Sequence, residues 1–392
     1  MSGFFARSLG AAKREFQRLV CTPWEWVTTI VLPLIWCVLL TGLFNDGLMR
    51  ELPLGVVDLD KTHQSQTVQG YMDALPSVQL RSVASPQAAQ SAIRTGELFG
   101  YVVIPEDWTR NAKTPNAAAI EIYVPKSLYA IGVNMEIDLK SALLAYSNES
   151  FQQMAHAVGA NETLTDRWLR TLSVNTVLLG NIAFNFHAYL LATVLPGLLG
   201  LCTILVIASN LVREFRDKTL DAWVASADGS VPGAIVGKVG MWTAVYWLFG
   251  LGYLAYFAGF SGWGTEAAIG LWAAAILTFL FVMATFAVLL TGLLIRAGWV
   301  IVLSISIGIT APIYPYTGFS YPIESMTTGA QWLAQTFPLT HFLKLQSSAW
   351  VLQPPAGVCF IQWLTLAAFA IVALAIGLPL LAKRVKEGAD HA

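Results

Sequence analysis

The stretch AYLLATVLPGLLGLCTILVIASNLVREFRDKTL, residues 188–220, decides the fold. It is almost wholly apolar as far as Leu211, and a helix needs ~20 such residues to cross the ~30 Å hydrocarbon core of a bilayer. Arg213, Arg216 and Lys218 follow directly. Basic residues beside a span are typical of its cytoplasmic end. The stretch therefore predicts a transmembrane helix that ends in a charged cytoplasmic loop.

Five further segments are apolar and long enough to span a bilayer. With the first one they make six predicted spans, at residues 27–44, 187–211, 234–260, 268–295, 298–316 and 358–382. The composition agrees, because only 12% of the 392 residues are charged, whereas soluble domains carry ~25%. Only Arg296 and Ala297 separate the fourth and fifth spans, which indicates a tight hairpin. The predicted fold class is a polytopic α-helical membrane protein.

Outside residues 45–185, lysine and arginine lie almost entirely on one side of these spans. Twelve of them fall on the side of the two chain ends, which includes the tail at residues 383–392. The short loops on the other side, at residues 261–265 and 319–357, carry only Lys344. Long loops are left out of such a count because large domains translocate regardless of charge. The bias predicts that both termini are cytoplasmic.

The N-terminal segment, residues 1–26, has an amphipathic pattern. Phe5, Leu9, Phe16 and Leu19 recur at helical spacing, and most basic residues lie elsewhere on the helical wheel. The pattern favours a helix that lies in the cytoplasmic interface of the membrane. The alternative is a short soluble helix packed against the transmembrane bundle.

Residues 45–185, after the first span at 27–44, have ordinary polarity and contain no spanning stretch. Predicted strands lie at 53–59, 78–83, 98–104 and 118–124, and predicted helices at 64–75 and 86–96. Strands that alternate with helices indicate a small α/β domain, which the charge bias places outside the cytoplasm. Helical segments at 127–157 and 166–179 are predicted to form a stalk leading to the second span.

Motifs for catalysis are missing from the chain. The segment Gly233–Lys238 is one residue short of a phosphate-binding loop, and Val239 stands where Ser or Thr is needed. No Cys or His pair has the spacing of a metal site, and no basic patch predicts nucleic-acid binding. The spans hold almost no ionisable side chains, which argues against an ion-coupled carrier. We therefore predict no catalytic residue, no metal site and no nucleotide site in this chain.

The loop at residues 211–232 has two chemically different edges. Leu220, Trp223 and Val224 form an apolar edge, and a charged edge is formed by Arg213, Glu214, Arg216 and Asp217. A short amphipathic helix of this kind suits docking onto a soluble partner. The alternative is a solvated turn on the positive side of the membrane.

Two aromatic and proline-rich segments lie at the opposite end of the spans. Residues 184–189 place aromatic and polar groups where the chain enters the second span, and the alternative is an ordinary aromatic belt. Pro312, Pro315 and Pro322 break any long helix after the fifth span. Residues 325–345 are too polar and interrupted to span fully. We therefore predict that the segment 319–356 contains a re-entrant hairpin that acts as a gate. The alternative is an ordinary external loop.

These motifs, in this order, resemble the permease subunit of an ABC-2 type ATP-binding cassette exporter, within the bacterial multidrug-permease-like branch that has a large periplasmic domain after the first helix. The family's Arg-Glu, Thr-Leu, Pro and Gly-Lys motif is similar to this chain at Arg213, Glu214, Thr219, Leu220, Pro232, Gly237 and Lys238. Lys218 replaces the usual glycine there. Two other family elements resemble this chain at Asn185, Tyr189, Pro196 and Gly197, and at Gly318, Phe319, Pro322 and Met326.

The resemblance implies that a separate ATPase subunit docks on the cytoplasmic loop. The implied coupling residues are Arg213, Glu214, Asp217, Thr219, Leu220, Pro232 and Lys238. ATP and Mg would bind the partner ATPase, and this chain would bind no cofactor. Other implied partners are a second permease copy or a homologous permease, a periplasmic membrane-fusion adaptor with an outer-membrane channel, and the lipid bilayer of the bacterial inner membrane.

The resemblance also implies export of a hydrophobic or amphipathic compound, drug-like or lipid-like, along a path lined by the second and fifth spans. Candidate pathway or gate residues are Asn185, His187, Tyr189, Pro196, Tyr314, Tyr316, Phe319 and Pro322. His187 is also explained as an interfacial residue without a proton role. The competing classes are a membrane receptor or scaffold with an external sensor domain, and a passive channel. A channel is disfavoured because no ring of polar residues repeats along one helix face.

Overall fold

A computed structural model describes residues 2–43, 50–111, 119–125, 129–157, 159, 186–260, 269–311, 313–319, 321–348 and 356–389. The chain divides into two compact units. One is an α/β domain, Asp46–Val177, and the other is a membrane unit made of Met1–Asn45 and Leu178–Ala392.

Helices make up the membrane unit. In chain order they are α1 (Ser2–Cys21), α2 (Pro23–Leu43), α7 (Phe186–Arg216), α8 (Leu220–Ala225), α9 (Val231–Ala255), α10 (Ile269–Leu294), α11 (Trp299–Thr310), α12 (Thr328–Gln335), α13 (Pro338–Ser347) and α14 (Ala356–Ala389), with α3–α6 in the α/β domain. Within the described residues, six helices are long and apolar enough to cross a membrane, and they coincide with the six predicted spans. The prediction of a polytopic helical membrane protein is confirmed.

Small residues set the packing of α10 at the centre of this unit. A Cβ added at Gly377 of α14 would lie 2.7 Å from the Cα of Leu289, and one at Gly292 would lie 2.9 Å from the backbone nitrogen of Leu381. Real Cβ atoms do not approach so closely, so α10 and α14 depend on both glycines. Close contact through small residues is the usual way in which membrane helices associate.

The N-terminal helix α1 packs against α9. A Cβ at Gly237 of α9 would overlap the carbonyl oxygen of Ser8, and Ala11 is fully buried in the contact. The opposite side of α1 remains apolar and exposed, with Phe5 at 75% and Leu9 at 62%. The helix is therefore packed on the bundle through one face. That its apolar face lies in the membrane interface stays a prediction.

The α/β domain has a four-stranded sheet in its described part, in the order β2-β1-β3-β4. The strands are β1 (Leu52–Asp58), β2 (Val78–Ser82), β3 (Gly100–Ile104) and β4 (Glu121–Tyr123), and the helices are α3 (His63–Asp73), α4 (Pro86–Thr95), α5 (Trp108–Asn111) and α6 (Tyr129–Ala157). Strand β1 pairs in parallel with β2 and β3, and β4 is antiparallel to β3. All four predicted strands are present.

Helix α6 belongs to the core of this domain. Its Met135, Leu139 and Ala142 are buried with Val56 and Val102 of the sheet. This part of α6 therefore packs on the sheet as part of the domain core. That residues 127–157 form a stalk leading to the second span stays a prediction. The second predicted stalk segment, 166–179, lies outside the described residues.

The segment after α11 breaks into short turns, as its prolines predict. Single 3₁₀ turns occupy Tyr314–Tyr316 and Ile323–Ser325, and the short helices α12 and α13 follow. Phe342 and Leu345 of α13 are fully buried within the membrane unit. The segment thus contains two short helices, and its re-entrant depth in the bilayer stays a prediction.

Candidate functional site

A group of largely buried charged side chains joins four helices at one end of the membrane unit. We call it the charge cluster, and its members are Arg14, Glu15 and Arg18 of α1, Glu25 of α2, Arg213 and Glu214 of α7, and Lys238 of α9. Helix α1 contributes three of its members, α7 contributes two, and α2 and α9 contribute one each.

Lys238 lies at the centre of the charge cluster and is fully buried. Its ammonium group is 2.6 Å from a carboxylate oxygen of Glu214 and 2.8 Å from one of Glu15, and it donates to the carbonyl oxygen of Asn210 at 3.3 Å. An ammonium has three N–H donors, so all of them have acceptors. The ring of Trp223 lies 4.9 Å away and adds a cation–π contact.

Glu214 is the second residue of the charge cluster with several partners, and it too is fully buried. The guanidinium of Arg14 donates to its two carboxylate oxygens at 2.9 and 3.2 Å, which is the strong bidentate arrangement. The hydroxyl of Thr219 donates to the same carboxylate. Removing one partner from a buried ion pair costs ~3–5 kcal/mol, because the remaining charge stays unpaired. The charge cluster therefore fixes α1, α7 and α9 relative to one another.

A second set of ion pairs ties the start of α2 to the same place. Arg213 donates to Glu25 at 2.6 Å and lies 3.5 Å from Glu15. Arg18 donates to Glu25 at 3.2 Å. The N-terminal helix and the first span are thereby attached to the end of α7 at a single point.

The placement corrects part of the sequence analysis. Arg213 and Glu214 were expected on an exposed charged edge, but they point into the bundle and pair with α1. The expected apolar docking edge is also covered, since Leu220 and Trp223 are buried. A Cβ at Gly388 of α14 would lie 2.6 Å from Leu220, so the end of α14 covers that leucine. The physical reason is that apolar and paired charged groups both leave water when helices are available to cover them.

What remains exposed is a ridge formed by the turn before α8 and by α8 itself. It consists of Arg216, Asp217, Lys218, Asp221, Ala222 and Ala225, with Asp228 and Pro232 beyond it. We call it the exposed ridge. The hydrogen bonds from Arg216 hold the pKa of Asp217 below its usual value, so this carboxylate stays ionised.

The turn that begins the exposed ridge has a left-handed residue. Lys218 has φ of 53°, and the N–H of Thr219 donates to the carbonyl oxygen of Glu214 at 3.0 Å. This is the helix C-terminal motif that favours glycine at the left-handed position. The replacement of the family's usual glycine by Lys218 has therefore kept the turn, at a cost in backbone strain.

Replacing Lys218 with glycine is expected to stabilise the protein by about 0.5–1 kcal/mol, because the strain of a Cβ at positive φ is removed. Thermal unfolding of the purified full-length chain measures the change. Lys218→Ala is the matched control, since it removes the same charge but keeps a Cβ. Equal stabilisation by both variants would show that charge, and not backbone strain, is responsible.

At the other end of the membrane unit, a proline creates a buried polar network. Pro196 lies inside α7 and has no N–H to donate to the carbonyl of Ala192. The side-chain amide of Gln346 in α13 donates to that carbonyl at 2.7 Å. The amide oxygen of Gln346 accepts from Tyr253 at 2.9 Å and from Trp272 at 3.1 Å. We call these four residues, Ala192, Tyr253, Trp272 and Gln346, the Gln346 network.

The Gln346 network joins α7, α9, α10 and α13. Gln346 is 2% exposed, so its hydrogen bonds have no competition from water. Each bond between membrane helices contributes ~0.6 kcal/mol on average. The network therefore holds α13 at the point where α7 is irregular.

The predicted pathway residues fall into three groups. Tyr189 stacks on Phe319 with ring centroids 4.2 Å apart. Tyr314 donates to the carbonyl of Val194 at 3.1 Å, and a Cβ at Gly197 would overlap its hydroxyl. These contacts join the start of α7 to the segment after α11. Tyr316 is half-buried and Pro322 exposed, and neither joins a described cluster. Asn185 and the side chain of His187 lie outside the described residues.

Sequence reasoning missed Arg14 as a partner of Glu214 and Glu15 as a partner of Lys238. It also missed Gln346, Tyr253 and Trp272. One signal was present: Lys238 and Glu15 are single charges on faces that are otherwise apolar, and such charges require partners. Pro196 gave another signal, because an unpaired carbonyl in a buried helix needs a donor. Within the part of the chain that the structure describes, no group of three His, Cys, Asp or Glu side chains could hold a metal ion.

The family described as ABC-2 family transporter protein matches residues 23–378. The match covers most of the chain, including both ends of the membrane unit just described. The chain therefore belongs to the ABC-2 family, whose members are membrane components of ATP-binding cassette transporters. A comparison with curated proteins found no significant match. Membership implies association with an ABC ATPase.

Proposed function

We propose that this chain is the permease of an ATP-driven exporter, which moves a hydrophobic or amphipathic compound out across the bacterial inner membrane. One observation carries the proposal: the exposed ridge lies directly on the charge cluster, whose central residues Glu15, Glu214 and Lys238 are buried. A partner protein that displaces the exposed ridge therefore displaces α1, α7 and α9 together, because the charge cluster joins these helices. ATP and Mg bind the partner ATPase, both termini are cytoplasmic, and two permease copies form the complete pathway.

The role of the predicted coupling residues is divided in this proposal. Asp217 and Pro232 belong to the exposed surface that the ATPase contacts. Arg213, Glu214, Thr219 and Lys238 transmit displacement within the bundle, since they are joined by ion pairs and hydrogen bonds. Leu220 passes motion to the end of α14, which it contacts. The substrate class rests on the scarcity of charged residues in the middle of the spans.

A co-purification experiment tests the exposed ridge as the ATPase contact. Replacing Ala222 and Ala225 together with arginine adds two bulky cations to the ridge, and both positions are exposed. We expect loss of the co-purified ABC ATPase and of ATP-dependent export, with an unchanged melting temperature, because neither alanine packs in the core.

The matched control places two arginines at the other end of the membrane unit. Gln335→Arg with Ser347→Arg changes exposed positions there, and ATPase binding should persist. Undiminished co-purification with the ridge variant would place the ATPase contact elsewhere. Failure of any ABC ATPase to co-purify with the unaltered chain would favour the receptor or scaffold alternative.

A further inference from the structure

A cleft in the membrane unit opens between α2, α7 and α9, at a distance from the charge cluster along the spans. Its volume is about 690 Å³, within the ~300–1,000 Å³ range of small-molecule sites. Leu195, Leu199 and Tyr253 line its buried side, while Leu34, Val38 and Leu248 line its open side.

The chemistry of the cleft is that of a hydrocarbon chain. None of its lining residues is charged. The hydroxyl of Thr41 donates to the carbonyl of Cys37 in its own helix, and that of Tyr253 belongs to the Gln346 network. These two hydroxyls therefore already have partners within the protein. The other polar side-chain groups of the lining are the thiol of Cys37 and the hydroxyl of Tyr256, so most of the lining is apolar.

The surroundings of the cleft indicate that a hydrocarbon chain enters it from the bilayer. Val38 is 62% exposed and Leu248 70% exposed, although both lie in helices that match the spanning criteria. Their exposed sides face the region that hydrocarbon occupies in a bilayer. The lining residues lie in the last part of α2, the first part of α7 and the last part of α9, so the cleft faces the leaflet remote from the charge cluster.

We propose that this cleft binds one acyl chain of a membrane lipid from the leaflet remote from the charge cluster. The inference does not depend on the ATPase partner or on export. Because Tyr253 both lines the cleft and bonds to Gln346, a bound chain contacts the residue that helps to hold α13 in place.

Two glycines allow a direct test. A Cβ added at Gly252 or at Gly240 meets nothing within 4 Å, so larger side chains fit at both positions of α9. Gly252 lines the cleft and Gly240 does not. Gly252→Leu therefore fills the cleft, and Gly240→Leu is the matched control. Leucine also favours a helix over glycine, so neither change should lower stability.

The full-length protein is reconstituted in nanodiscs of phosphatidylcholine and phosphatidylglycerol with a trace of phosphatidylcholine that carries a diazirine at its acyl end. After irradiation, labelled residues are mapped by peptide mass spectrometry. We expect several-fold more label on residues 34–42 and 248–256 than on Ile371 of α14, which is 68% exposed. Gly252→Leu should reduce the label in the cleft several-fold, and Gly240→Leu should leave it unchanged.

Three results would overturn the proposal. Equal labelling of the cleft and Ile371 would show ordinary contact with surrounding lipid. Label that Gly252→Leu does not reduce would place the chain outside the cleft. Absence of label from the cleft, with cross-links there between two copies of the protein, would show that a second copy covers it. If Gly252→Leu lowers the melting temperature, Val38→Trp fills the cleft from the opposite wall. The assay contains no ATPase, so its outcome is separate from that of the co-purification test.

Discussion

Replacing Lys238 with methionine is expected to lower the free energy of unfolding by about 3 kcal/mol. The change keeps most of the side-chain volume but removes the cation from between Glu15 and Glu214, which are 1% and 0% exposed. Arg14 and Arg213 still pair with these carboxylates, which places the cost at the lower end of the range for a broken buried ion pair. Unfolding of the purified chain in detergent micelles measures it.

The interaction is separated from simple loss of packing by a double-mutant cycle. Glu15→Met combined with Lys238→Met removes one charge of each sign and should cost less than the two single changes added together. Arg216→Ala, at a side chain that is 52% exposed, should alter stability by less than about 0.5 kcal/mol. Strict additivity in the cycle would mean that Glu15 and Lys238 do not depend on each other.

Replacing Gln346 with methionine is expected to destabilise the protein by about 2 kcal/mol, because three buried hydrogen bonds of its side-chain amide are lost. The carbonyl of Ala192 then keeps the longer bond, of 3.3 Å, from the hydroxyl of Tyr253. The effect should be local. Amide hydrogen exchange in α13 is expected to accelerate more than exchange elsewhere, since the Gln346 network attaches this helix to α7, α9 and α10. If the segment that contains α13 acts as the predicted gate, ATP-dependent export also falls.

Two further variants test whether the effect of Gln346→Met comes from the loss of its buried hydrogen bonds. Tyr253→Phe removes one hydroxyl and leaves the amide bonded to Ala192 and Trp272, so it should cost only about 0.6 kcal/mol. Gln335→Met changes an exposed amide in the neighbouring helix α12 and should have no effect on exchange in α13. If Gln335→Met accelerated exchange as much as Gln346→Met, the network would not be what holds the helix.

The spans and strands could be predicted because their signals are local. A run of apolar residues such as 188–211, or a short strand such as β3, contains its whole pattern within one continuous stretch of sequence. The ABC-2 resemblance could also be recognised, because its motif lies mostly between Arg213 and Lys238.

The interior of the candidate site could not be predicted in the same way. Arg14 and Glu214 are 200 positions apart in the chain, and helical periodicity does not say which helix covers which face. The sequence therefore places Arg14 away from the apolar face of the N-terminal helix and Glu214 on the charged edge of the loop, although the two side chains bind each other. In the sequence, Gln346 is one polar residue in a polar segment. Its role becomes visible only in the structure, where its amide donates to the Ala192 carbonyl that Pro196 leaves without a helical donor.

The 200-residue separation between Arg14 and Glu214 has a consequence for biosynthesis. A ribosome that adds ~5–20 residues per second needs roughly 10–40 seconds to make the chain between them. During that interval α1 is complete, but Glu214 and Lys238 do not yet exist to receive its charges. If α1 lies at the membrane interface as predicted, its exposed Phe5, Leu9 and Phe16 hold it on the lipid surface during that interval. Docking of α1 on α7 and α9 is then a late step of assembly, because a nascent chain that ends before Lys238 lacks the central cation of the charge cluster.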